Sequence, residues 1–353
     1  MKSLFPEAPV YTTVYNPEKM PECMASWDIR TSFIQDLPAG KTKYQMYLPL
    51  MPTAIEQLDF EAYDLVISGH HSVIKGIVTR PDALHLCYCY SPMRYAWDLY
   101  HRYLNAAEVK GWQKPIIPWL MNYIRLWDAS SANRVDVFVA ISHHVQKRIT
   151  KFYRRESTVI YPPVATERFT PNGQKDDGFY LMVGRLVGYK RHDLAVAAFN
   201  QNGRPLVIIG DGPERTKLEP LAAANIKFLG RQPESVVQDH LQRCRGFIFP
   251  GEEDFGIAPV EAMAAGRPVV AFARGGATET VVEGRTGVFF REATAQSLNQ
   301  ALERLEATSW QSGVISEHAR QFSQERFLQE FAQIVETSLQ IHNTPSTIRQ
   351  LVP

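Results

Sequence analysis

The sequence predicts an α/β protein of two doubly wound domains, each a parallel sheet with helices packed against it. Two observations carry that prediction. Between residues 179 and 307, short apolar runs alternate with amphipathic stretches, the pattern of parallel strands joined by crossover helices. Residues 10 to 161 repeat the alternation less regularly, and a double proline separates the two stretches.

In chain order, Val10–Val14, Leu65–Ser68, Leu84–Tyr90, Val135–Ile141 and Thr158–Tyr161 read as strands, on their β-branched and aromatic content. Tyr95–Leu104, Pro118–Asn133 and His143–Tyr153 read as helices. Pro162 and Pro163 disfavour helix and stiffen the chain, so a boundary falls there. The following strands are Phe179–Val183, Leu206–Ile209, Ile226–Leu229, Gly246–Pro250, Val269–Phe272 and Val288–Phe290. Helices are expected over His192–Asn200, Pro213–Ala223, Glu234–Arg243, Ala258–Ala265 and Ala295–Ala307. Right-handed crossovers then set the loops after the strands along one edge, where ligands bind in such sheets. Phe327, Phe331, Ile334, Val335 and Leu339 recur mostly three or four apart, giving a long final helix with one apolar stripe. The expected organisation is a first domain over 1–161 and a second over 162–320. A helix over 321–341 returns toward the first domain, and 342–353 form a tail.

A length of 353 residues suits two domains. With 45% hydrophobic and 21% charged residues, the composition excludes a disordered chain. A net charge of +1 leaves no field to recruit nucleic acid. No apolar run is long enough to span a bilayer, and Met1–Tyr11 has no signal-like apolar core. Cys87 and Cys89 alternate along one strand, and the cysteine spacing completes no zinc site. Reduced thiols and a cytoplasmic location are expected. Trp112, Ile116, Trp119, Leu120, Tyr123, Ile124 and Trp127 form an aromatic-rich stripe near Lys110, Lys114 and Arg125. Core is the first reading of that stripe, and a membrane-facing surface the second.

Chemistry concentrates at the strand ends of the second stretch. Gly184 and Arg185 open a turn that closes at Lys190 before a helix, and a helix N-terminus with two fixed cations suits phosphate. A solvated basic turn is the alternative. Gly210-Asp211-Gly212-Pro213 ends the next strand, with Gly212 a point of close approach or simply a good turn. Seven residues separate Glu253, in a loop beyond a strand, from Glu261, early in a short helix bracketed by Pro259 and Gly266. Carboxylates accept two O–H bonds from vicinal sugar hydroxyls, and the N–H groups of Phe255, Gly256 and Ile257 face the same loop. Glu261 alone also reads as a complement to the helix dipole. Gly275-Gly276-Ala277-Thr278-Glu279 follows the next strand.

Taken in order, Gly-Arg-Leu-(x)3-Lys-Arg, Gly-Asp-Gly-Pro, Glu-(x)7-Glu and Gly-Gly-(x)2-Glu resemble the retaining glycosyltransferases of family 4. These have the GT-B fold, two Rossmann-like domains facing across a cleft. Ser91–Asp98 and Leu48–Pro52 resemble a subgroup, the bacterial mannosyltransferases of polysaccharide assembly. The resemblance implies that Arg185 and Lys190 hold the donor diphosphate, Glu261 the ribose and Glu253 the transferred hexose. It sets Gly184, Gly212 and the backbone of Phe255, Gly256 and Ile257 around the donor, and Arg231 beside the base. It implies a catalytic histidine at His71. A second histidine is expected where this chain has Tyr90, a poor proton shuttle at neutral pH. No Asp-x-Asp occurs, and the cations and helix dipoles take a metal's role, so no cofactor is expected. Family members open with a strand and a glycine-rich loop, and Met1–Glu7 already reads as the end of the helix after them. A first domain truncated at its N-terminus is therefore expected, most simply because the start codon lies upstream.

The reading is a metal-independent hexosyltransferase. Its donor is a nucleotide diphosphate sugar, GDP-mannose first, and its acceptor a glycan or lipid-linked acceptor, in the cytoplasm or at the inner face of the cell membrane. The alternative is a catalytically impaired nucleotide-sugar-binding relative or partner subunit. An epimerase or phosphorylase of the same fold is less favoured, since no lysine has the context for pyridoxal phosphate. A nicotinamide oxidoreductase is disfavoured because no G-x-G-x-x-G follows an early strand.

Overall fold

A computed structural model gives the fold and describes residues 1–101, 115–173 and 175–343. The chain divides into two compact units. One comprises Met1–Ile141, Val145–Ile160 and the chain from Glu330, the other Ser142–His144 and Tyr161–Gln329.

In the first unit, β1 (Val10–Thr12) pairs in parallel with β2 (Ile29–Thr31). A separate parallel sheet runs β3 (Leu65–His70), β4 (Leu84–Cys89), β5 (Val137–Ala140), β6 (Thr158–Val159). Central β4 is buried at every residue, including His85, whose ring nitrogens lie 2.8 Å from Ser68 Oγ and 3.1 Å from the Arg134 carbonyl. β3 is an edge, and together with β1 it lines an apolar cavity of about 1000 Å³. The core gathers Ile34, Ile55, Ile77, Met93 and Ile124. It also encloses an ion pair. Lys75 Nζ lies 2.8 Å from Asp128 Oδ1, both side chains fully buried, and donates to the Asp128 carbonyl and to Ser131 Oγ at 2.6 and 2.7 Å. Tyr153 and Trp97 donate to the same carboxylate, which satisfies its lone pairs.

Several expectations shift here. Met1–Glu7 forms turns rather than a named helix, closed by Leu4 and Phe5 N–H bonds to the Met1 carbonyl. Residues 94–99 are also turns, and 102–114, which include Trp112, lie outside the described residues. The helix expected over Pro118–Asn133 runs Ile116–Ser131. β2, three residues long, carries too little pattern to be read from sequence.

The second unit has six parallel strands: β7 (Tyr180–Val183), β8 (Leu206–Ile209), β9 (Ile226–Gly230), β10 (Gly246–Phe249), β11 (Val269–Phe272) and β12 (Gly287–Phe290). Their order is β12-β11-β10-β7-β8-β9, the Rossmann arrangement, with the winding direction reversing between β7 and β10. Tyr180, Met182, Ile208, Ile248 and Val270 belong to one core with helices His192–Asn202 and Ala295–Ala307. Helices Glu234–Arg243 and Ile257–Ala264 pack on β7 and β10. The helix expected over Pro213–Ala223 shrinks to Arg215–Leu218 and a tight turn at Glu219–Leu221, because Pro220 lacks the N–H that would continue it. Helix Ser312–Ala319 was not expected, and the final helix is Gln324–Asn343.

Candidate functional site

Doubly wound sheets bind ligands beyond the strand ends where the winding reverses. The loops there follow β7 and β10, and they carry Lys190 and Glu253. Lys190 closes the tight turn Gly188–Lys190, and its Nζ lies 2.6 Å from Glu253 Oε1, each side chain 19% exposed. Two glycines make the pair possible. The lysine stem crosses Gly184, where a Cβ would come within 3.3 Å of Nζ. At Gly251 a Cβ would lie 2.7 Å from Lys190 Cα, so a side chain would force the two loops apart. Arg185, in the same loop, is exposed, and its side chain makes no hydrogen bond or ion pair with a described residue. His192 begins the next helix. Burial, and then the Lys190 charge, push its pKa down to about 4.

Gly212 lies in the neighbouring loop. A Cβ there would collide with the Leu186 carbonyl, so packing of loop on loop accounts for this glycine without a ligand. Its N–H bonds the Asp211 carboxylate at 2.8 Å.

Glu261 belongs to a second group. Helix Ile257–Ala264 begins two residues before Pro259, with Gly256 at its N-cap (φ +91°) and no side chain capping it. Its first-turn N–H groups are therefore available to a ligand. Ile257 is half-exposed, whereas the Phe255 ring is buried, with centroids 5.7 Å from Tyr161 and 5.6 Å from Phe322. Glu261 lines a polar hollow of about 560 Å³ with Arg231, Gln232, Pro233, Glu234, Val237 and Phe169. Burial raises the Glu261 pKa, the Glu234 charge adds to the rise, and Arg168 opposes it. Arg168 and Glu234 pair at 2.6 Å. Arg231 and Glu261, predicted separately, thus share one hollow. Phe169 and Glu234 went unread, because nothing local in sequence sets Phe169 against a helix ninety residues later.

Glu279 has a structural task. Its carboxylate accepts the N–H groups of His143 and His144, both at 2.8 Å, within the second unit.

His71 is a residue of the first unit, beyond β3 and bordering the apolar cavity. It is exposed by area, yet enough of its ring is desolvated to lower its pKa. His70 beside it is fully buried, its Nε2 3.3 Å from the Tyr153 hydroxyl, and burial holds it neutral. Tyr90 stacks edge-on against Tyr88, and burial raises its pKa. The segment Ser91–Asp98 works as a clamp: Arg148 donates to Ser91 at 3.1 Å and to Asp98 at 2.7 Å, and Trp97 stacks on Phe152. Among the described residues no three His, Cys, Asp or Glu side chains group as a metal site.

Residues 164–325 match the family model described as glycosyl transferases group 1. An uncharacterized glycosyltransferase of Methanocaldococcus jannaschii is 27% identical over 193 residues, 53% of this chain and 54% of that one. A GDP-mannose-dependent alpha-(1-6)-phosphatidylinositol monomannoside mannosyltransferase of Mycolicibacterium smegmatis is 28% identical over 186 residues, 44% of this chain and 49% of that one. The chain spans about half the length of these curated relatives. Sucrose-phosphate synthase of Thermosynechococcus elongatus superposes with a TM-score of 0.73, covering 95% of this chain and 90% of that one at 18% identity. Residues 164–325 are thus similar to the group 1 glycosyl transferases, and the two Rossmann-like lobes have the GT-B architecture of the solved structures.

Proposed function

We propose that the chain is a retaining, metal-independent hexosyltransferase of the family 4 type, with residues 162–320 as its donor domain. The observation that carries this is the convergence of Lys190 and Glu253 at the point where the sheet reverses its winding. Arg185 and Lys190 take the donor diphosphate, and Glu253 takes the hexose hydroxyls. Glu261 takes the ribose hydroxyls, and Arg231 lies along the base. Gly184 leaves room for the lysine stem, Gly212 keeps its loop against Leu186, and the backbone of Phe255, Gly256 and Ile257 borders the sugar. His71, kept neutral, supports proton movement at the acceptor. In the reaction the bond from sugar C1 to the diphosphate oxygen breaks, a bond from C1 to an acceptor oxygen forms, and the acceptor proton passes to solvent. Charge on the departing diphosphate meets fixed cations and helix N–H groups that need no reorganisation.

GDP-mannose is the donor of first choice, on the sequence resemblance and the mycobacterial relative's name. The acceptor is a glycan or a lipid-linked acceptor, at the cytoplasmic face of a membrane. Release of mannose or GDP from GDP-mannose, compared with UDP-glucose, tests the reading; turnover of neither by folded protein contradicts it. Tyr90, where a histidine is expected, favours a second reading, a nucleotide-sugar-binding relative that has lost transfer. That reading retains binding without turnover.

A further inference from the structure

We infer that the Lys190–Glu253 ion pair lets the site distinguish a loaded sugar nucleotide from a spent one; this rests on the donor-site reading above. In the unliganded protein the two charges satisfy each other at 2.6 Å, each four-fifths shielded from water. A diphosphate arriving beyond β7 competes with Glu253 for the same ammonium. If it draws Lys190 away, a poorly hydrated carboxylate loses its partner, which is costly unless other donors replace it. The hexose of an intact donor brings those donors as hydroxyls. The nucleoside diphosphate left after transfer brings none, and its own negative charge faces an unpaired Glu253. Re-forming the ion pair then helps to expel the product. Loop geometry holds both partners for this exchange. Gly251 keeps the Glu253 loop against the Lys190 backbone, and the Glu253 carbonyl is fixed by the Gly276 N–H at 2.9 Å.

The test is calorimetric titration of GDP and of GDP-mannose into the full chain and into E253Q, K190A and the double variant. UDP and UDP-glucose form a parallel pair. Thermal unfolding checks that each variant folds, and E253A replaces E253Q if the latter does not. Removing the competing carboxylate is expected to tighten binding of the bare diphosphate by roughly two- to tenfold, the scale of one partly exposed ion pair. The advantage of the sugar nucleotide over the bare diphosphate should shrink. In the K190A background E253Q should tighten diphosphate binding by less than it does in the unaltered chain, since the competition for the lysine is gone and only charge repulsion is relieved. If a diphosphate binds the unaltered chain and E253Q binds it equally or more weakly, the inference is wrong while the donor site stands. If neither diphosphate binds any folded form, the donor-site reading fails and takes this inference with it.

Discussion

Arg185 and Lys190 are both cations of one loop, yet their settings differ. Lys190 is held by Glu253, whereas Arg185 is exposed and lacks a partner among the described residues. Each is expected to stabilise the departing diphosphate, so Arg185→Ala or Lys190→Ala should lower turnover by about a hundredfold or more. Thermal unfolding should barely move for Arg185→Ala; full activity in either variant contradicts the assignment. Glu261 is a different case. Its carboxylate is desolvated and has Glu234 as a like-charged neighbour, so it is held at a cost to the fold. Glu261→Gln is therefore expected to raise the melting temperature slightly while weakening donor binding roughly tenfold or more. A fall in both would mean that Glu261 is structural. These side chains were legible because each follows a glycine or proline signal at a strand end. What glycine does there was less legible: Gly212 looks like a point of ligand approach until the Leu186 carbonyl is seen beneath it.

Among the elements, helix Ile116–Ser131 divides the aromatic stripe that sequence treats as one feature. Ile124 is buried and Trp127 half-buried, its Nε1 on Glu56 at 2.8 Å, whereas Ile116, Trp119, Tyr123 and Leu126 are exposed at spacings of three and four. The core reading holds for Ile124, and Ile116, Trp119 and Tyr123 lie exposed. The exposed face suits a bilayer interface, where aromatic rings sit among headgroups. The full chain is expected to float with anionic vesicles at low salt, and Trp119→Ser with Leu126→Ser to reduce this; no association of the unaltered chain contradicts membrane contact. The inner side of the same helix carries Asp128, so Lys75→Met should destabilise the first unit by about 3–5 kcal/mol, measured by urea denaturation. A loss under about 1 kcal/mol would show that the Tyr153 and Trp97 hydrogen bonds suffice alone. The second-unit strands were readable from long apolar runs between turn residues. β2 and the helix over 312–319 were not, since neither has enough turns or alternations to outweigh its neighbours.

At the scale of the whole molecule, each unit buries a neutral histidine. In the first, Ser68 Oγ lies 2.8 Å from His85 Nε2, the Arg134 carbonyl lies 3.1 Å from Nδ1, and burial lowers the pKa to about 4. His192 in the second unit falls to the same value. The folded chain resists protonation while the unfolded chain takes a proton near 6.5, so this stability is complete above about pH 6.5. It is lost as pH falls toward 4, at about 1.4 kcal/mol per pH unit per group. The melting temperature should fall between pH 6.5 and 4.5, less steeply in His192→Gln; a flat profile contradicts the burial argument. On the proposed function, winding order, strand ends and charge point to a site for a nucleotide diphosphate sugar in the second unit. Calorimetric titration of GDP-mannose into the full chain, with and without a chelator, tests that claim most directly. The expected result is saturable one-to-one binding, unchanged by the chelator and weakened roughly tenfold or more in Lys190→Ala. No saturable binding of GDP-mannose or UDP-glucose to folded protein, or binding that requires a divalent ion, would contradict it.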